Sequence, residues 1–198
     1  MRQFVVVAHD APTTPEFSLD DLPGSGGRLD VLCRCVGAAC LLSHDIRANV
    51  QVHLVLGDEY TITVSCDEVR NLRPDERSTA ALLRTALEHR DDAIGQQPAE
   101  SSPGVTIRRQ GVGRALESAA EDGTLVTLHE DGTTITDLEP PADPVFALSD
   151  HRPFTDAERS LLEQHAEYTV SLSPQRVHAN QAITIAHNYL DTDGFERF

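Results

Sequence analysis

Apolar positions along this chain fall in short, dense runs separated by polar stretches rich in glycine and proline. Phe4 to Val7 forms the first run and predicts a strand. Residues 11–27, rich in Pro, Gly, Ser, Thr and Asp and ending Leu22-Pro23-Gly24-Ser25-Gly26-Gly27, predict a long loop of the kind that often carries function. The density from Leu29 to Leu42, broken by Ser43-His44-Asp45, predicts a mostly buried helix. Val50 to Leu56 and Thr61 to Val64 read as a hairpin across Gly57-Asp58.

Pro74-Asp75-Glu76 opens a helix that Leu82, Leu83, Ala86 and Leu87 carry to about Arg90. Residues 91–104 read as a polar loop. Short β-type runs follow at Val105 to Arg108, Leu125 to Leu128, Val145 to Leu148 and Tyr168 to Val170, alternating with helical stretches at 112–121, 155–166 and 178–190. The acidic stretch 130–143 reads as a connection. Strand alternating with helix predicts an α/β fold, a mostly parallel sheet with helices on both faces. A length of 198 residues suits a single domain over 1–198.

Charge changes the picture. Sixteen cations face 32 acids, for a net charge of −16, and every cation is Arg. A Lys-free, acid-flooded chain points to a salt-loaded cell interior. In molar salt the Debye length falls to about 3 Å, so local arginine clusters can still grip phosphate and the acidity does not exclude an RNA partner. Cys33, Cys35, Cys40 and Cys66 lack the spacing of a disulfide framework or a zinc site, and all four read as small buried hydrophobes. No metal is expected. No charged-then-apolar leader and no apolar run of about 20 residues appears, which predicts a cytoplasmic protein without a membrane span.

Two sequence stretches carry candidate chemistry. Gly24 to Asp30 has the glycines of an anion-binding helix start, but neither the P-loop ending nor GxGxxG. It reads either as a flexible helix entry or as a ligand loop in which Arg28 holds a phosphate and Asp30 faces a base or pairs with Arg28 or Arg34. Ser43-His44-Asp45 and Ser149-Asp150-His151 read as turns at element ends, since no hydrolase motif surrounds them. Near the C-terminus a strand enters the turn Leu172-Ser173-Pro174-Gln175-Arg176-Val177, which leaves backbone groups free to meet a ligand. Behind it Ala179, Ala182, Ile183 and Ala186 form a small-residue stripe, suited either to the core or to a dimer axis.

These segments resemble the archaeal TrmY family, the tRNA pseudouridine-54 N1-methyltransferases of the SPOUT superfamily. The resemblance rests on Pro23 to Arg34, Leu42 to Arg47, Pro74 to Arg77, Pro103-Gly104 through Arg108-Arg109, and the C-terminal turn, in order along nearly the whole chain. It implies a trefoil knot over about 125–190, a homodimer, tRNA containing pseudouridine 54 as substrate, and S-adenosylmethionine as methyl donor. It places the cofactor against Leu128, Ser149, Leu172, Ser173, Pro174, Gln175, Arg176, Val177 and, on the helix behind, Ala182. Ser149 stands where the family commonly has Gly. Asp30, Arg28 and Arg34 are the candidate catalytic residues, with Asp30 receiving or orienting the N1 proton or simply partnering Arg34. Arg47, Arg77, Arg108, Arg109 and Arg114 are candidate RNA contacts, against ordinary surface ion pairing. A related enzyme acting on ribosomal RNA and a non-catalytic RNA-binding assembly factor are the rival readings.

Overall fold

The structure is a computed structural model that describes residues 1–95 and 97–198. Its eight strands are β1 (Arg2–Ala8), β2 (Val50–Leu56), β3 (Tyr60–Ser65), β4 (Ala99–Ser102), β5 (Val105–Arg108), β6 (Thr124–Thr134), β7 (Pro144–Ser149) and β8 (Tyr168–Ser171). The helices are α1 (Leu29–Cys40), α2 (Glu76–Glu88), α3 (Val112–Asp122), α4 (Asp156–His165) and α5 (Ala179–Asp191).

All eight strands join one sheet in the order β4-β5-β3-β2-β1-β7-β6-β8. The expectation of a mostly parallel sheet is corrected to a mixed one. From β2 through β8 the neighbours run parallel, whereas β3, β5 and β4 are added antiparallel. The reason is local: the β2–β3 hairpin and the β4–β5 hairpin each reverse the chain in a tight turn, so direction alternates along β2, β3, β5 and β4.

Alternation along β1, at the centre of the sheet, sets the two layers. Phe4 and Val6 face one way into a core closed by α1, α2 and α5. Val5 and Val7 face the other, into a smaller core closed by α3 and α4. The small-residue stripe of α5 lies inside the first core: Ala182 is 8 % exposed, and Ile183 and Ala186 are fully buried. Asp75 caps α2 by accepting from the Ser78 amide at 2.7 Å, and Thr155 and Glu158 form a capping box on α4.

Three further expectations are corrected. The loop 91–104 contains β4, a four-residue edge strand with a bulge opposite Val105, too short and polar to show as a hydrophobic run. The connection 130–143 begins as strand, because β6 continues to Thr134 and pairs again with Val170 and Ser171 after a register shift. Gly132 makes that possible, since a Cβ there would meet Val170 backbone atoms at 2.5–2.6 Å. Finally, Cys40 and Cys66 are joined as a disulfide, with Cα atoms 5.6 Å apart, and only Cys33 and Cys35 are free and buried. The hairpin delivers Cys66 to the last turn of α1 across 26 residues, a closeness that spacing along the chain does not reveal.

Candidate active site

Parallel strands place their C-terminal ends on one edge of the sheet, where open α/β folds hold their ligands. The register fixes which residues meet there. Val7 lies beside Ser149, Thr127 beside Ala147 and Leu128 beside Val170. Leu128, Ser149 and the turn from Leu172, which the family resemblance implies lie against the cofactor, are thus brought to one edge. Leu128 is buried at 9 % exposure, Leu172 is half-buried, and Pro174 to Val177 are exposed.

Within the turn, Ser171 Oγ donates to the Ser173 carbonyl at 3.1 Å, and Ser173 Oγ accepts from the Gln175 amide at 3.2 Å. Gln181 takes the His178 amide as α5 begins. Among the described residues the Arg176 and Val177 amides find no protein acceptor. Arg176 itself is paired with Glu130. Ala182, by contrast, lies behind the turn in the core.

The glycine-rich loop reaches this same edge. Gly27, at φ +52°, lies so close to the end of β1 that a Cβ would sit 1.8 Å from the Asp10 carbonyl oxygen. Arg28 follows in the left-handed region at φ 66° and starts α1. Asp30, 4 % exposed, accepts from Arg28 at 3.0 and 3.2 Å and from Arg34 at 2.8 Å. Arg34 also donates to Glu76 at 3.0 Å. Burial works to raise the Asp30 pKa, but the hydrogen bonds and charges of the two arginines outweigh it and hold the carboxyl below its ordinary range. A hollow of about 380 Å³ beside this cluster is lined by Arg34, Arg73, Glu76 and Asn180, so Arg34 looks across to the start of α5.

A second ionic cluster, at the ends of β1 and β7, was only half legible in the sequence. Ser149-Asp150-His151 is a turn, as expected, yet Asp150 is its buried hub. Its carboxylate accepts from the His9 and Arg152 amides at 3.0 and 2.9 Å. His9 lies between two acids, with Nδ1 2.9 Å from Asp150 and Nε2 3.0 Å from Glu158. Desolvation lowers the His9 pKa, but both carboxylates together raise it above its usual value, favouring the imidazolium that donates from both nitrogens. His151 and Arg152 both reach Asp10, at 3.3 and 2.6 Å. His9 and Asp10 stand directly after the first apolar run, and that position at a strand end was the signal available for them.

The five candidate RNA-contact arginines separate. Arg47 pairs with Asp191 at 3.0 Å and Arg77 with Asp20. Arg108, Arg109 and Arg114 share one hollow on the far side of the sheet. Arg114 lies 3.5 Å from Glu117. Arg109 stacks over Tyr60 at 5.6 Å, and neither it nor Arg108 has a carboxylate partner among the described residues. Among the described residues no group of three or more His, Cys, Asp or Glu side chains could hold a metal ion, and no helix is long and apolar enough to cross a membrane.

A mixed α/β sheet whose parallel strands present three loops and a glycine-rich helix entry at one edge defines a nucleotide- or cofactor-binding α/β protein. Residues 1–195 match the family model described as "Putative SAM-dependent RNA methyltransferase", and the chain belongs to that family. Its relatives include proteins of Haloferax volcanii, 62% identical, and Haloarcula marismortui, 61% identical, each aligned over all of both chains. A protein of Methanococcoides burtonii is 43% identical over 96% of each. All three are named tRNA (pseudouridine(54)-N(1))-methyltransferase. The crystal structure of Archaeoglobus fulgidus Nep1 bound to S-adenosylhomocysteine shares the fold, with a TM-score of 0.68 over 96% of this chain and 97% of that one at 12% identity.

Proposed function

We propose that this chain transfers a methyl group from S-adenosylmethionine to N1 of pseudouridine 54 in tRNA, the reaction its relatives are named for. The observation that carries the reading is identity of about three in five residues over the full length of both chains. The strand-end geometry is compatible with the cofactor. Leu128, Leu172 and Val177 supply apolar wall, while Ser149, Ser173 and the unpaired amides of Arg176 and Val177 supply the polar contacts that a purine and an amino-acid moiety need.

Pseudouridine is joined to its sugar through carbon, which leaves N1 carrying a proton and open to methylation. S-adenosylmethionine supplies an electrophilic methyl. The work left to the protein is alignment, worth roughly 7–11 kcal/mol of barrier when geometry is fixed. Asp30 is held by Arg28 and Arg34 through both oxygens and is a weakened base. We therefore assign it to locking the two guanidiniums against the substrate and orienting the N1 proton, which leaves to a carboxylate or water. Arg108, Arg109 and Arg114 are assigned to phosphate contact, since two of the three have no acid partner among the described residues.

The same reading takes residues 1–198 as one SPOUT domain with a knot over about 125–190, which rests on the family to which the chain belongs. It takes the working protein as a cytoplasmic homodimer in high salt; the salt requirement is supported by the Arg-only, −16 composition and by its halophilic relatives. Incubation with pseudouridine-containing tRNA and S-adenosylmethionine in high salt, followed by nucleoside mass analysis, should yield N1-methylpseudouridine. Cofactor binding without any transfer to tRNA would replace this reading with the ribosomal RNA enzyme or the assembly factor.

A further inference from the structure

The sheet face beyond α3 carries a built polar groove that the methyl-transfer site does not use. Between β1 and β5, strand alternation turns Gln3, His53, Thr63 and Thr106 toward the face that α3 covers only in part, where Ala115, Ser118, Ala119 and Asp122 form one wall. They line a hollow of about 400 Å³ that adjoins the arginine hollow, of about 410 Å³, and shares Arg108, Gln110 and Ser118 with it.

Hydrogen bonding on the groove floor is preset, and the groups left over are donors. His53 donates from Nε2 to Gln3 Oε1 at 2.8 Å and accepts at Nδ1 from the Thr63 hydroxyl at 3.0 Å. Desolvation, aided by the charge of Arg108, lowers its pKa to about 4 and keeps it neutral. This fixes the Gln3 amide so that Nε2, on a residue only 1 % exposed, has no protein partner among the described residues. Arg108 Nε is likewise buried and without a protein acceptor among the described residues. Buried donors without protein acceptors are costly unless water or a ligand completes the set, and in a groove of this size a ligand can do so.

Charge is divided along the groove. Arg108, Arg109 and Arg114 line one end together with Glu117 and Glu121, whereas the adjoining hollow carries Glu68, Glu100 and Asp122. Cations outnumber acids only at the first end, so an anion is favoured there over the second. Strand spacing and rise put Gln3 and Arg108 roughly 14 Å apart across the sheet and roughly 13 Å along it, a span for an extended segment.

We infer that this groove binds a segment of the RNA substrate, with phosphate on Arg108, Arg109 and Arg114 and an uncharged base over Gln3, His53 and Thr63. The inference rests on the tRNA reading and adds a second RNA site away from the strand-end edge. Base carbonyls supply the acceptors that Gln3 Nε2 lacks, and phosphate oxygens supply those for Arg108.

The test is equilibrium binding of tRNA carrying pseudouridine 54 across a KCl series, with protein loaded with S-adenosylhomocysteine. Arg108→Gln should lower the slope of log affinity against log salt by about 0.7–0.9. Gln3→Leu should weaken binding about five- to tenfold at every salt without changing the slope. Ser118→Trp, which fills the groove from the half-buried α3 position that lines both hollows, should weaken binding at least as much and covers the case in which Gln3→Leu does not fold. S-adenosylhomocysteine affinity should stay the same in all three. A wild-type protein that binds no tRNA overturns the tRNA reading itself. Wild type that binds and methylates tRNA while folded Arg108→Gln and Ser118→Trp match it overturns the groove alone. A change in oligomeric state in place of RNA affinity also overturns it, making the groove a protein interface.

Discussion

Gly27 presses on the carbonyl oxygen of Asp10, and this contact joins the glycine-rich loop to the end of the central strand. A Cβ would lie 1.8 Å from that oxygen, and the backbone there is left-handed at φ +52°. Gly27→Ala should therefore push Arg28 and Asp30 away from the strand ends. We expect methyl transfer to fall at least tenfold and stability by about 1–3 kcal/mol. Single-turnover transfer and denaturant unfolding measure the two. Wild-type values in both would mean that the loop does not depend on this contact.

Asp30 is assigned to holding Arg28 and Arg34. Asp30→Asn keeps the shape but loses the charge and half of the acceptor capacity, so kcat should drop at least tenfold with cofactor affinity within about twofold of wild type. Asp30→Glu should recover part of the loss. Transfer at the normal rate by folded Asp30→Asn would remove Asp30 from the machinery.

Two neutral histidines set the acid side of the stability profile. His187 donates from Nε2 to the Ala39 carbonyl at 3.0 Å and receives Arg2 at Nδ1 at 3.3 Å. Burial, then the charges of Arg47 and Arg2, lower its pKa from 6.5 to about 4, with Asp191 opposing; His53 is lowered to about 4 as well. Between pH 6.5 and 4 the unfolded chain binds the extra protons, so stability is full above 6.5 and falls as pH drops, by up to about 1.4 kcal/mol per pH unit for each histidine. His9, with its raised pKa, acts with the opposite sign and loses its contribution as pH rises through its folded value. Unfolding in constant high salt from pH 7 to 4 should show the fall, reduced in His187→Gln. A flat profile would contradict neutral burial of the pair.

The Cys40–Cys66 bond closes a 26-residue separation. Chain-entropy reasoning puts its contribution at about 3 kcal/mol. Cys40→Ser with Cys66→Ser should lose about that much by denaturant unfolding, and alkylation under denaturing, non-reducing conditions should label only Cys33 and Cys35 of the wild type. Four labelled cysteines would show that the bond does not form.

Periodicity was enough for most elements because each is a dense apolar run bounded by glycine, proline or acid. It failed at β4 and the extension of β6, where polar strands are held by neighbours rather than by burial of their own residues. The sheet's mixed direction comes from the β2–β3 and β4–β5 hairpins, joined by antiparallel pairing of β3 with β5. At the site, Asp30 and its arginines were legible as a motif, whereas the Asp150 hub with His9 and Glu158 was not. Those three are separated by up to 149 positions and meet only when β1 and β7 pair. The Cys40–Cys66 bond escaped for the same reason. The stripe on α5 was compatible with core or dimer axis until its burial placed it in the core.

The central claim is a base-specific methyl transfer. It is tested most directly by two matched tRNAs, identical except for uridine or pseudouridine at position 54, incubated with the protein and S-adenosylmethionine in high salt. The account predicts methylation of the pseudouridine form alone. Equal methylation of both, or of neither while cofactor binds, would contradict it.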